Sequence, residues 1–296
     1  MGKLVLIDGN AILHRAFHAL PPMTTKKGEP INAVYGFVSM LLRIVQDLKP
    51  SSIIVTFDEK EPTFRHKEFA KYQAQRPPTA DELASQFEKV RRFVEAADIP
   101  VYSKSGFEAD DVIGTIAKRV KEDVVIVTGD RDQLQLVNER VKVYMPIAGL
   151  SNAKMMGRKE VIEKMGVPPE QIADYKGLVG DPSDNYPGVS GIGPKTAITL
   201  LLKYKNIDGV YKNIDKVEGS AREKLKKGQV DAYLSLRLAK IVTDVPIQYD
   251  IEASSKWDLD NPKVISLFEE FGFKTLKERI KKVGREIDES KQMSLI

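Results

Sequence analysis

Cysteine is absent from the 296 residues, histidine occurs three times and tryptophan once. Without thiols there is no disulfide and no thiolate metal site, which fits a reducing compartment. His14 and His18 have the i, i+4 spacing of a helical zinc pair. With His66 the only other histidine, packing or contact at a site rim is the better reading. Long apolar runs are missing too. Val124-Val-Ile-Val127 is strand-sized, against the roughly 20 residues that a membrane-spanning helix needs. The chain enters Lys3-Leu-Val-Leu-Ile7 with no secretory leader pattern. The expectation is a cytoplasmic protein without a membrane segment, likewise free of internal repeats.

What is present is a regular alternation. Residues 3–8, 52–57 and 123–128 are short Val/Ile-rich runs, each ending in an acidic or turn residue. Between them, 33–48, 81–97 and 109–121 carry apolar residues at helical spacing. Near-continuous apolar strands separated by helices predict an α/β fold with a mainly parallel sheet covered on both faces. Ligands in such sheets bind beyond the carboxyl ends of the strands, where Asp8, Asp58 and Asp130 fall. From about Arg158 the pattern turns helical, over 158–165, 169–179, 194–204, 229–241, 262–271 and 274–283, and no further strong strand is expected after about 145. This predicts a first domain over 1–157, a helical domain over 158–283 and a flexible polar tail over 284–296.

Carboxylates gather in five short segments: Asp8-Gly-Asn10, Phe57-Asp58, Glu108-Ala-Asp110-Asp111, Thr128-Gly-Asp130-Arg-Asp132 and Gly180-Asp181-Pro-Ser-Asp184-Asn185. If the strand tips converge, seven or more of them enter one cleft. Two carboxylates about 4 Å apart repel by roughly 4 kcal/mol at an effective dielectric of 20. Such a cluster needs cations or protons to be stable. Hard oxygen ligands in this number select Mg²⁺ or Mn²⁺ over zinc, and two such ions about 4 Å apart suit displacement at phosphorus. Of 42 acidic residues, setting nine aside leaves 33 against 46 basic ones, so the rest of the surface carries about +13. An acidic pocket on a basic body suits a polyanion held over cations. Each acidic motif taken singly reads equally as a helix cap or turn. Their combination carries the argument.

Gly188-Val-Ser-Gly191-Ile-Gly193-Pro-Lys195-Thr196 reads as a glycine-rich turn opening a helix at Pro194. Glycines let backbone approach a phosphate, and N–H groups at a helix start face the anion. The pattern resembles helix-hairpin-helix and helix-three-turn-helix binders of the DNA backbone. It lacks the spacing of a Walker loop.

With these residues assembled, the chain resembles the 5′-nuclease domain at the N-terminus of bacterial DNA polymerase I, within the flap endonuclease superfamily. The likeness runs from Lys3 to about residue 280. Glu108-Ala-Asp-Asp-Val-Ile-Gly-Thr115, Thr128-Gly-Asp130 and Gly180-Asp-Pro-Ser-Asp-Asn-Tyr-Pro-Gly-Val189 carry it most specifically. The resemblance implies a PIN-like sheet, a helical arch over about 60–90 and a helix-three-turn-helix in the second domain. It implies two cation positions, one around Asp8, Asp58, Glu108 and Asp110 and the other around Asp130, Asp132 and Asp184, with Asp111 and Asp181 as further family carboxylates. A monovalent cation such as K⁺ at the 188–197 turn is implied as well, with Gly191, Gly193, Lys195 and Thr196 gripping duplex DNA. Arg15, Arg65, Lys71 and Arg76 are aimed at phosphates, Lys71 and Arg76 near the reacting group, and Tyr72 at a base. As residue types alone, the basic residues of the arch read better as a solvated helix face. Gln73 stands where the family usually has a lysine that steadies the transition state, which puts turnover in question. Trp257 reads as a core anchor.

The function implied is structure-specific 5′-3′ exonuclease and flap endonuclease action on branched, flapped or nicked DNA, in replication primer removal and repair, by a monomer. The terminal Gln292-Met-Ser-Leu-Ile296 resembles short peptides that dock bacterial sliding clamps. Two other readings stay open: a catalytically attenuated DNA-junction binder, and a PIN-type ribonuclease. A phosphatase built on an Asp-x-Asp pair after the first strand is excluded by Asp8-Gly-Asn10.

Overall fold

A computed structural model describes residues 2–148 and 152–293, with side chains described to Val283. The elements are β1 (Lys3–Asp8), α1 (Gly9–Ala19), α2 (Asn32–Leu48), β2 (Ser52–Thr56), α3 (Phe64–Glu68), α4 (Asp81–Ala96), β3 (Val101–Tyr102), α5 (Ala109–Arg119), β4 (Asp123–Val127), β5 (Val141–Ala148) and β6 (Asn152–Met156). There follow α6 (Arg158–Met165), α7 (Ile172–Val179), α8 (Pro194–Tyr204), α9 (Ile207–Lys212), α10 (Ser220–Lys227), α11 (Gln229–Ala239), α12 (Pro262–Phe271) and α13 (Lys274–Met293). Among the described residues no helix is long and apolar enough to cross a membrane.

The strands form one sheet in the order β3-β2-β1-β4-β5-β6, parallel except for the antiparallel edge strand β6. Alternation explains why the central strands are apolar throughout. Val5, Ile7, Ile53, Val55, Val125 and Val127 pack to one face with α1, α2, α4, α12 and α13. Leu4, Leu6, Ile54, Val124 and Ile126 pack to the other with α5 and the helices from α6 to α11. A side chain exposed to water on neither face has no polar alternative. Each fully buried Leu, Ile or Phe contributes about 2 kcal/mol by area.

Three features depart from the sequence expectation. Strand pairing continues past residue 145, through the end of β5 and through β6. The edge strand alternates exposed and covered residues, so it offers no apolar run to read. The 60–90 region is no continuous arch: α3 is a single turn and a half, turns follow to residue 76, and α4 packs Leu83, Val90, Phe93 and Val94 into the core. The expected tail is helical as far as Met293, while Ser294–Ile296 of the clamp-like peptide lie outside the described residues. Moreover, Trp257, Val264, Phe268, Phe271, Phe273, Leu276 and Ile280 return to the face of α2 and α4, so part of the 158–283 stretch belongs to the first core. Trp257 is a core anchor, as expected.

Candidate functional site

Parallel strands bring their carboxyl ends to one rim, and the carboxylates follow. Asp8 ends β1 and caps α1, its Oδ1 accepting from the Ala11 N–H at 2.9 Å and its Oδ2 from the Thr128 hydroxyl at 2.8 Å. Asp58, two residues past β2, accepts from the Ala109 N–H at 2.7 Å, tying it to the start of α5. Glu108 caps α5, and Asp110, in the first turn, accepts from Gln133 Nε2 at 2.7 Å. Asp130 follows β4 and accepts from the Asp132 N–H at 2.8 Å. Asp184 comes from the turn after α7. That turn is locked by Gly180 and Gly188, both at positive φ, where a Cβ on Gly188 would lie 2.2 Å from Gly180 N.

Asp8, Asp58, Glu108, Asp110, Asp130, Asp132 and Asp184 line one cavity of about 530 Å³, with Asn10, His14, Tyr72, Gln73 and Arg76 among its other walls. Burial pushes Asp8 up to about 7, against the hydrogen bonds from Ala11 and Thr128. Burial takes Glu108 to about 7 against the pull of Arg65, and Asp132 to about 7 against that of Lys176. Asp110 is driven well above the carboxylate range by burial and then by Asp130 and Asp8. Asp58 is raised by burial as well. The internal cations therefore do not balance the acids.

Two of the nine carboxylates lie outside the cavity lining. Asp111 is fully buried beneath the rim, clamped by Arg65 Nη1 at 2.7 Å and Nη2 at 2.9 Å, and it accepts from the Val242 N–H at 2.8 Å. It is a member of a buried ion pair and does not line the cavity. Asp181 lines a neighbouring hollow with Phe69, Lys71 and Tyr186. Burial would raise it, but Lys176 at 2.5 Å and Ser183 hold it below its ordinary value. Lys176 also pairs with Asp132. Ligand oxygens of Asp132, Asp181 and Asp184 lie within 4.8 Å of one another, a tighter group than the expected Asp130, Asp132 and Asp184.

The basic and aromatic expectations divide. Arg65, 2% exposed at the cavity wall, spends its guanidinium on Asp111, Glu108, Leu238 O and Lys240 O. Tyr72, 3% exposed, is no stacking platform: its hydroxyl donates to Asp184 at 3.3 Å and Glu108 at 3.4 Å. Lys71 is exposed over the neighbouring hollow and away from the cavity. Gln73 adopts φ 53° and donates to Asp184 at 3.2 Å. Half-exposed Arg76 donates to the same carboxylate at 2.6 Å. Arg15 reaches the turn at Gly129. His14 packs edge-on to Phe87, and His18 to Phe17. The parts played by Thr128, Gln133 and Lys176 are not legible in the sequence: Thr128 stands in an acidic motif as an uncharged residue, Gln133 lies beside one, and Lys176 looks like any helix lysine.

At the second candidate surface, Gly188 and Gly191 adopt positive φ, Gly193 caps α8, and Pro194 takes its first position. Lys195 is exposed and Thr196 half-exposed there. Lys224 Nζ donates to the Gly191 carbonyl at 3.2 Å.

The residues fit hard divalent cations. Every cavity carboxylate offers oxygen, the acids outnumber their internal partners, and two buried oxygens nearby, Gln133 Oε1 and Tyr186 OH, have no partner.

Comparison with known proteins agrees. Residues 3–166 match the 5′-3′ exonuclease N-terminal resolvase-like domain, and residues 167–262 match the 5′-3′ exonuclease C-terminal SAM fold. A 5′-3′ exonuclease of Aquifex aeolicus is 37% identical, covering 97% of this chain and 98% of its own length. DNA polymerase I of Bacillus subtilis is 39% identical over 98% of this chain, which spans 34% of that protein. Among solved structures, T5 D15 protein co-crystallized with metal ions superposes with a TM-score of 0.69 at 18% identity, covering 96% of this chain and 99% of the other. The T5 D15 flap endonuclease complex with DNA and metal ions gives 0.67 at 19%, covering 97% and 99%. These two show the shared fold. Fold and sequence together define a nuclease. The chain belongs to the 5′-3′ exonuclease family.

Proposed function

We propose that the chain hydrolyses DNA phosphodiesters at junctions of single and double strand, leaving 5′-phosphate and 3′-hydroxyl ends, as a structure-specific 5′-3′ exonuclease and flap endonuclease. The observation that carries this reading is the convergence of seven of the nine expected carboxylates on one cavity, which Glu59 and Glu61 also line, with too few internal cations. Two Mg²⁺ or Mn²⁺ ions bound there would supply Lewis acidity toward water and charge toward the leaving oxygen. The chain's own part is orientation. Ala11, Thr128 and Gln133 fix the lone pairs of Asp8 and Asp110. Near neutrality and without cations, Asp8, Glu108 and Asp132 hold protons that cation binding releases.

Arg76 is the cation placed at the cavity mouth for a phosphate, in place of the buried Arg65 and the distant Lys71. The start of α8, with Lys195 and Thr196, is suited to the backbone of duplex DNA, a sequence-independent and salt-sensitive contact. Primer removal and repair in the cytoplasm are the processes that such cutting serves. The test is cleavage of a labelled 5′-flap DNA and a matched RNA with Mg²⁺. Preferred cutting of the DNA near the junction is expected, and equal or better cutting of RNA would move the reading to a ribonuclease.

A further inference from the structure

Tyr186 is 3% exposed, and its phenol oxygen reaches neither solvent nor any hydrogen-bond partner. The backbone fixes where it stands. Asp181 and Tyr186 exchange both amide hydrogen bonds, at 3.0 and 3.2 Å, closing an isolated antiparallel bridge. Residues directly opposite in such a bridge project their side chains to the same face. The phenol therefore shares a face with the Asp181 carboxylate, one corner of the Asp132, Asp181 and Asp184 group. A phenol offers one O–H to donate.

Buried hydroxyls are almost always paired. Nearby Tyr72 obeys the rule, donating to Asp184 and Glu108. Tyr186 bonds none. The group it stands beside is compact enough for one cation, and a hard divalent ion keeps several of its waters when carboxylates bind it. A water in that shell is the acceptor the phenol lacks. Resting on the reading of these carboxylates as cation ligands, we propose that the Tyr186 hydroxyl donates a hydrogen bond to a water in the hydration shell of a divalent ion held by Asp132, Asp181 and Asp184. Tyr186 is then a positioning residue for that ion. The Lys176 ammonium already joins Asp132 and Asp181, so the ion competes with it. The phenol tips this competition toward the hydrated cation, because an ammonium offers donors and no acceptor.

The experiment is calorimetric titration of the full chain with Mn²⁺ alone, without DNA, for wild type and Tyr186→Phe, alongside melting of both without metal. Removing an unsatisfied hydroxyl leaves the cation-free variant as stable as wild type or more so. Its weaker class of Mn²⁺ site is expected to lose affinity by about three- to tenfold, the size of one net hydrogen bond. A role confined to packing would change the melting and leave Mn²⁺ affinity alone. If wild type binds two ions and the variant binds both equally well, the tyrosine assignment is overturned and the carboxylate reading stands. If wild type binds no ion at this group, the carboxylate reading falls and takes the tyrosine with it.

Discussion

Asp110 and Asp111 follow one another in the first turn of α5 and meet different surroundings. Asp111 lies in a fully paired pocket, with a bidentate guanidinium and a backbone N–H on its two oxygens. Asp110 faces Asp8 and Asp130, with one side-chain amide for support. One residue type, one position apart on a helix, thus gives an internally neutralised group and one left in want of charge. Burial alone does not mark a functional carboxylate. What marks it is burial without an internal partner.

The largest expected effect comes from the unbalanced side. Asp130→Ala should lower flap cleavage by about 10³-fold or more while far-ultraviolet circular dichroism is unchanged. Cleavage at the wild-type rate would show that the cavity is not where the reaction happens. On the balanced side, Arg65→Met leaves Asp111 charged and buried, and should cost about 3–5 kcal/mol of stability in denaturant titration. Asp110→Asn should do the reverse in the absence of cations, raising the melting temperature. If both substitutions destabilise alike, the contrast drawn between the two aspartates is lost.

A pH series sharpens it. Asp8, Glu108 and Asp132 have folded values of about 7, against ordinary values of 3.8, 4.5 and 3.8. Between those limits the folded chain binds more protons than the unfolded one, so stability falls as pH rises. Cation-free protein should melt at a higher temperature at pH 5 than at pH 8, and millimolar Mg²⁺ should close most of the gap. A flat profile would argue that the cluster is already neutralised from within. The smallest effect concerns Gln73, whose side chain holds the Asp184 carboxylate by one amide contact. Gln73→Lys should raise single-turnover cleavage by about tenfold by adding a cation beside Arg76. An unchanged rate would mean that Arg76 suffices.

The sheet was legible because its central strands bury both faces, leaving Val and Ile no polar neighbours in sequence. The edge was not, since β6 alternates and β3 is two residues long. Seven of the cavity's carboxylates were legible because strand ends must converge in a parallel sheet, whereas Glu59 and Glu61 beside them were not. The partner of Asp111 was not legible either: Arg65 and Asp111 are 46 residues apart, and nothing local couples them. Arg65 and Tyr72 read as DNA contacts because type and spacing say nothing of a segment folding down onto the acids it was expected to overhang. Gln133 carries no charge and gave no signal, and Thr128 stood in its motif with no role of its own, although each holds a carboxylate in place.

The return of α12 and α13 to the first core bears on where the polypeptide can be cut. Phe93 stacks on Phe268 at 5.8 Å, and Arg92 grips Glu270 across the same seam. A protein ended at residue 262, where the family match stops, would keep every cavity acid yet bare a greasy floor along α2 and α4. It would tend to clump before it could be assayed, and its silence would say nothing about the chemistry.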